Sequence, residues 1–256
     1  MDAIKAGLEF LQQPQYAMPI CALVIALIAG VQRKFWTAGY ALAGLAVFLI
    51  DWHFLGGASR TGDNPVPVYG YCALVLGFFA VATWEAAWVP LYVALMPIIN
   101  WSFAAVPTAD IPAAFGGGQF QPLAIVTGLV LVVRDLAQRQ VKNWVLAFMV
   151  VGLVLSTLTS WIVVVVASGV AFLISETVDW AVYTFSNRPL SQRIMISSTF
   201  SAPLDQVVFI YLASFVVRGI FAWGTVLTGI ASKLIGAFVV SRIVAAQERR
   251  AEVKPA

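Results

Sequence analysis

Apolar residues occur along this chain in nine long runs, divided by short polar breaks: 17–31, 35–55, 68–84, 88–106, 120–137, 144–158, 162–185, 194–217 and 220–240. Most approach the length a helix needs to cross a hydrocarbon layer, and none alternates strictly as a barrel strand would. Lipid offers the backbone no hydrogen-bond partners, so runs of this length predict α-helices. Gln32-Arg33-Lys34 and the region of Glu85 are too short to be more than tight turns, so the helices they join form hairpins. Residues 56–67 and 107–119 are dense in turn formers and predict loops. Gly116-Gly117-Gly118 reads as a flexible loop and not a phosphate cradle, because no Gly-Lys-Ser/Thr follows it.

Composition turns that helical pattern into a membrane protein. Apolar residues make up 61% and charged residues 11%, where a soluble globule is nearer half apolar and a quarter charged. The expected fold is all-α: a polytopic bundle of about nine transmembrane helices. If the Arg33-Lys34 turn is cytoplasmic, alternate breaks also place Arg139, Lys142, Arg188, Arg193, Arg242, Arg249, Arg250 and Lys254 inside, leaving little but Lys5, Arg60 and Arg218 opposite. That asymmetry follows the positive-inside rule, with the N-terminus outside and the C-terminus in the cytoplasm of a bacterial inner membrane. The net charge of +3 therefore reflects topology, and no basic, aromatic-interleaved patch suggests nucleic acid. The opening residues, with Asp2 and Glu9, do not resemble a cleaved signal.

Other chemistry is thin. Cys21 and Cys72 sit in apolar runs and read as packing residues; His53, the single histidine, reads as interfacial. The chain shows no ATP-binding motif, no Cys/His metal cluster and no nucleophile–base pair. No enzyme activity, cofactor or metal is expected. Energy for any transport would come from a gradient such as protons, from a separate ATPase module, or from trapping of the substrate inside the cell.

What stands out is a group of polar residues inside the seventh and eighth runs: Glu176, Asp179, Asp205, Ser197, Ser198 and Ser201. A carboxylate at the bilayer centre costs about 2.5–3.5 kcal/mol on insertion scales, so such residues usually face a cavity. Glu176, Asp179 and Tyr183 share one helix face, and Ser198, Ser201 and Asp205 share another. Asp205, flanked by apolar residues on both sides, resists a purely structural explanation. Asp179 is open to a second reading, an interfacial pair with Arg188 or Arg193. Arg134 and Asp135 near a helix end read as snorkelling groups or a structural ion pair with neighbours at least as readily as substrate contacts, and Arg139 is spaced i, i+4 from Asp135, suiting a local pair.

From residue 89 to 240 this pattern resembles the vitamin uptake (VUT) family, whose best-known members transport queuosine precursors. The resemblance rests on Glu176, Asp179, Tyr183, the basic turn to Arg193, Ser198-Thr199, Asp205 and Phe209, with Asn100 and the stretch 134–139 upstream. It implies a six-helix transporter core over residues 89–241, with a three-helix extension over 1–88 outside the resemblance and a polar tail over 242–256. It also implies a substrate of the 7-deazaguanine type, such as 7-cyano-7-deazaguanine or its aminomethyl relative. Carboxylates suit the amidine-like edge of such a base, because their two oxygens accept parallel N–H donors. Glu176, Asp205 and Asp179 would bind that edge, Tyr183 or Phe209 would stack on the ring, and Asn100, Ser198 or Gln121 would read its carbonyl. A vitamin-binding subunit docked on an ATPase module, or a membrane scaffold without transport, are the rival expectations.

Overall fold

The computed structural model describes residues 13–54, 66–105, 108–120, 124–159, 162–185, 188–215 and 220–253. Nine α-helices are found among them: α1 Pro14–Val31, α2 Phe35–Phe54, α3 Val66–Trp84, α4 Trp88–Ala105, α5 Ala124–Val141, α6 Val145–Thr159, α7 Ile162–Phe185, α8 Leu190–Ser214 and α9 Trp223–Val253. Each corresponds to one apolar run of the sequence, with α9 continuing past its run into the polar tail. Three helical stretches, Phe35–Phe54, Thr127–Thr159 and Ser191–Ser214, are long and apolar enough to cross a membrane. Large apolar side chains lie on the outside, among them Leu27, Phe54 and Leu76. Water would leave that surface poorly solvated; lipid would not. The chain is an all-α protein of membrane type.

Packing divides the chain into two units, 1–101 with 136–160 and 102–135 with 161–256. At the centre of the first lies α4, whose residues Val89 and Leu91 to Leu95 are all buried, as expected for a helix apolar on every side. Ala17 and Cys21 of α1 pack with Val93 of α4 and Leu155 and Leu158 of α6.

Two of its hairpins turn in the same way. Arg33 and Ala86 both adopt left-handed backbone, at φ 59° and 53°. Arg33 and Lys34 donate N–H bonds to Gly30 and Ala29, and Ala86 and Ala87 repeat the pattern on Thr83 and Ala82. This is the Schellman closure of a helix end, made here without glycine.

The two turns are also tied to each other. The Glu85 carboxylate accepts the Thr37 N–H and hydroxyl, both at 2.8 Å, and the Trp36 N–H at 3.4 Å, while Lys34 Nζ donates to the Glu85 carbonyl at 2.7 Å. Glu85 thus caps the first turn of α2 from another helix, where orphan N–H groups and the helix dipole favour an anion. Desolvation pushes its pKa up. The Thr37 and Trp36 donors and the Lys34 charge outweigh that and hold it below the ordinary 4.5.

Because the folded-state pKa is the lower one, the contribution is present above the unfolded value and is lost as pH falls through the folded one. Glu85→Ala is expected to cost about 1 kcal/mol at neutral pH, in line with other cap deletions. Melting of the detergent-purified protein checks this, and the gap between wild type and variant should close well below pH 4.5.

In the second unit, Ala167 and Ala171 of α7 meet Phe209 and Ile210 of α8 and Val226 of α9. Gly128 lets α5 approach the backbone of α9: a Cβ there would lie 2.6 Å from the Lys233 carbonyl oxygen. The glycine-rich stretch is not the flexible loop its composition predicts. Strands β1 Ala109–Asp110 and β2 Gln119–Phe120 pair antiparallel, with Ala109 opposite Phe120. Gly116, Gly117 and Gly118 turn between them at φ 94°, 64° and 92°, a succession only glycine adopts readily. The hairpin seats on the start of α9, where the Thr225 hydroxyl accepts the Gln119 N–H at 2.9 Å. A Cβ on Gly116 would lie 2.7 Å from the Gly224 nitrogen, so this close seating also requires glycine.

Candidate binding site

The polar centre of the second unit is built around Arg134 of α5, which is 1% exposed. Its Nη1 lies 2.9 Å from Asp135 Oδ1, and its Nε lies 2.6 Å from Glu176 Oε2 on α7. Asp179, one turn further along α7, approaches Nη1 at 3.8 Å, an ionic contact too long for a hydrogen bond. The i, i+3 spacing brings Glu176 and Asp179 to the same guanidinium, as their shared face in the sequence predicts. From α8, the hydroxyls of Ser197 and Ser201 stand beside Asp179. Glu176, Asp179, Ser197, Ser198 and Ser201 are all buried.

Three carboxyl groups face one guanidinium here. Burying such groups costs several kcal/mol for each ion, so the arrangement holds only while the charges are paired and hydrogen-bonded. Arg134 cannot saturate the acceptors around it, and Glu176 Oε1 makes no hydrogen bond among the described residues. The surplus is acceptor capacity in a buried place. Such a centre can take protons, or the N–H donors of a guest, where water is scarce and each bond counts for more.

Several expectations change at this point. Asp179 is not an interfacial partner of Arg188 or Arg193; it is 1% exposed, and Arg193 Nε donates to the Arg188 carbonyl instead. Arg134 and Asp135 do not snorkel, since both are buried, and Asp135 pairs with its neighbour and not with the exposed Arg139. Asp205 is engaged by Lys233 of α9 in a separate ion pair. Next to it, Gln206 Nε2 donates to the Thr225 carbonyl at 3.5 Å and fills the space opposite Gly229.

Phe209 is a member of the apolar cluster between α7, α8 and α9. Ser198 is buried on α8, and Asn100 is buried on α4 in the first unit. Tyr183 lies on α7 with its side chain outside the described residues, as is Gln121 altogether.

The residues that sequence reasoning underrated are the cations. From sequence, Arg134 stands between snorkelling, an ion pair with neighbours and substrate contact, and Lys233, alone in its apolar run, has no role. An isolated cation in one span is the expected complement of an isolated acid in another. Pairing them on that ground would have linked Lys233 to Asp205 and Arg134 to the acids of α7. No family model, curated protein or solved structure matches the chain.

Proposed function

We propose that this protein is a membrane carrier that imports a small, planar, nucleobase-like compound, of the kind represented by 7-cyano-7-deazaguanine. It spans a bacterial inner membrane nine times, with the N-terminus outside and the C-terminus in the cytoplasm. Bonds between the turns at Lys34 and Glu85, and from Gln140 Nε2 to the Ala86 carbonyl at 2.8 Å, support that topology. They hold together the three breaks that the charge pattern assigns to the cytoplasmic side.

The observation that carries the reading is the Arg134 guanidinium among Asp135, Glu176 and Asp179. The amidine edge of a deazaguanine presents parallel N–H donors much as a guanidinium does. Arg134 therefore occupies its acids as an internal counterpart of the guest. Arrival of the base would redistribute Glu176 and Asp179 between the two, and uptake of a proton by one carboxyl would couple the exchange to the proton gradient.

The test is complementation. A bacterial strain that can neither make nor import queuosine precursors would express the chain, and queuosine in its tRNA would be measured at low external precursor. Wild type should restore the modification. Glu176→Gln should lower initial uptake roughly tenfold or more, the loss of one charge-assisted hydrogen bond. Collapse of the proton gradient should abolish uptake. A correctly inserted wild-type protein that restores nothing rules out this substrate class.

A further inference from the structure

Among the described residues, the first unit holds a chamber of about 180 Å3, walled by α1, α2, α3 and α4, with Thr159 at the end of α6. Its lining is almost wholly apolar and includes Cys21, Gly44, Leu45, Phe48, Leu74 and Phe78. The hollow is made by small residues on facing helices. A Cβ added to Gly44 would meet nothing within 4 Å, so this glycine looks into open space.

Water is a poor occupant, because a buried water needs two to four polar partners. Of the three hydroxyls on the wall, two are already engaged, Tyr71 donating to Asp51 Oδ2 at 2.9 Å and Thr159 to the Pro97 carbonyl at 3.2 Å, and the third, on Tyr40, lies against Gly77. Left empty, the chamber would forfeit dispersion contacts over its whole lining. An apolar cavity of roughly 150 Å3 holds a molecule the size of benzene, so this one has room for about six carbons.

We infer that the chamber is a lipid site that takes the end of one acyl chain from the surrounding bilayer. The chamber opens to the outside: Met18, Ala22, Gly44, Leu45, Leu74 and Val75 of its wall remain partly exposed. The helices that wall it carry exposed Leu23, Leu27, Leu42, Ile50 and Leu76 on their outer faces. The medium in contact with those helices is therefore hydrocarbon, which is present at concentrations no dissolved ligand approaches. An unbranched chain end, unlike a nucleobase, asks nothing of the wall beyond shape and apolar contact. This inference is independent of the proposed substrate and gives the N-terminal helices a role of their own: they bind lipid.

The full-length protein in phosphatidylcholine nanodiscs would be irradiated with a phosphatidylcholine carrying a diazirine near the end of one acyl chain. Adducts would then be mapped by mass spectrometry. They should concentrate on Cys21, Leu45 and Leu74, and Gly44→Leu, which fills the chamber, should reduce them several-fold while adducts at outward-facing Leu27 and Ile50 persist. Gly44→Leu should melt no lower than wild type; if it does not fold, Ala22→Leu fills the same space from α1.

Adducts spread evenly over Leu27, Ile50 and the lining, or lining adducts that survive the filled chamber, overturn the inference. So does labelling by a free six-carbon diazirine in detergent without labelling by the lipid, which would mark a site for a small apolar molecule. Queuosine-precursor uptake by the Gly44→Leu protein, assayed separately, keeps failure of this inference distinct from failure of the carrier reading.

Discussion

Arg134→Met is expected to be among the most damaging single changes in the protein. It removes the guanidinium from a place where Asp135, Glu176 and Asp179 all converge and the side chains are at most about 5% exposed. Breaking a buried ion pair by deleting one partner costs about 3–5 kcal/mol, because the other charge is left without compensation. Here three acids are left. Total stabilities are of the order of 5–15 kcal/mol, so most of the folded population is at risk.

The substitutions should also fall in a definite order. Glu176→Gln is the mildest, since it removes an acid from a centre that has acids in excess. Arg134→Lys is intermediate, because a compact ammonium keeps the charge but loses the planar fork that reaches three carboxyls. Arg134→Met combined with amides at all three acids should recover much of what the single change loses. Melting temperature and the monodisperse fraction after detergent extraction read this directly. An Arg134→Met protein as stable as wild type would mean that the centre is not held by the guanidinium.

This order also separates what the sequence made legible from what it did not. Every helix is announced by an apolar run, because the demand that lipid places on the backbone leaves few other solutions. Glu176 and Asp179 were visible as a pair for a similar reason: charged residues in apolar runs are rare, and i, i+3 spacing fixes their shared face. Their partner was not visible. Arg134 lies 42 residues from Glu176 in the chain, and nothing local to either says which helices become neighbours. Near a helix end, a snorkelling arginine and a buried one have the same sequence. Burial, which decides between them, belongs to the packing.

The glycine-rich stretch failed for a related reason. Composition tells that glycine permits left-handed backbone but not whether another element uses that freedom. Gly116 and Gly118 are required by close approach to the first turn of α9, more than 100 residues further on. Similarly, Glu85 was legible only as part of a tight connection. Its role as the cap of α2 depends on two hairpin turns meeting side by side, which neither turn encodes alone.

The second large effect is expected at Asp205, where stability and transport can be told apart. Lys233→Met leaves Asp205 without its cation in a largely buried setting, and Asp205→Asn leaves the lysine, which is 5% exposed, without its anion. Each single change should cost about 3–5 kcal/mol on the same grounds as above. The double variant, with methionine and asparagine together, removes both charges and should be close to wild type in melting temperature, because a neutral pair of similar volume avoids the desolvation that the ions suffer. A double-mutant cycle isolates that coupling.

Transport then gives the decisive comparison. If Asp205 serves only to join α8 to α9, the double variant restores queuosine-precursor uptake along with stability. If the carboxylate receives the substrate, the double variant is stable and inactive, and Lys233 acts as its resting counter-ion in the way that Arg134 does for Glu176. Extended from the Arg134 centre to this pair, the proposed carrier mechanism expects the second outcome: in both places an internal cation holds an acid that the guest's own N–H donors would otherwise meet. Restored uptake in the double variant would confine the binding site to the Arg134 centre and leave α8 and α9 joined by a purely structural pair.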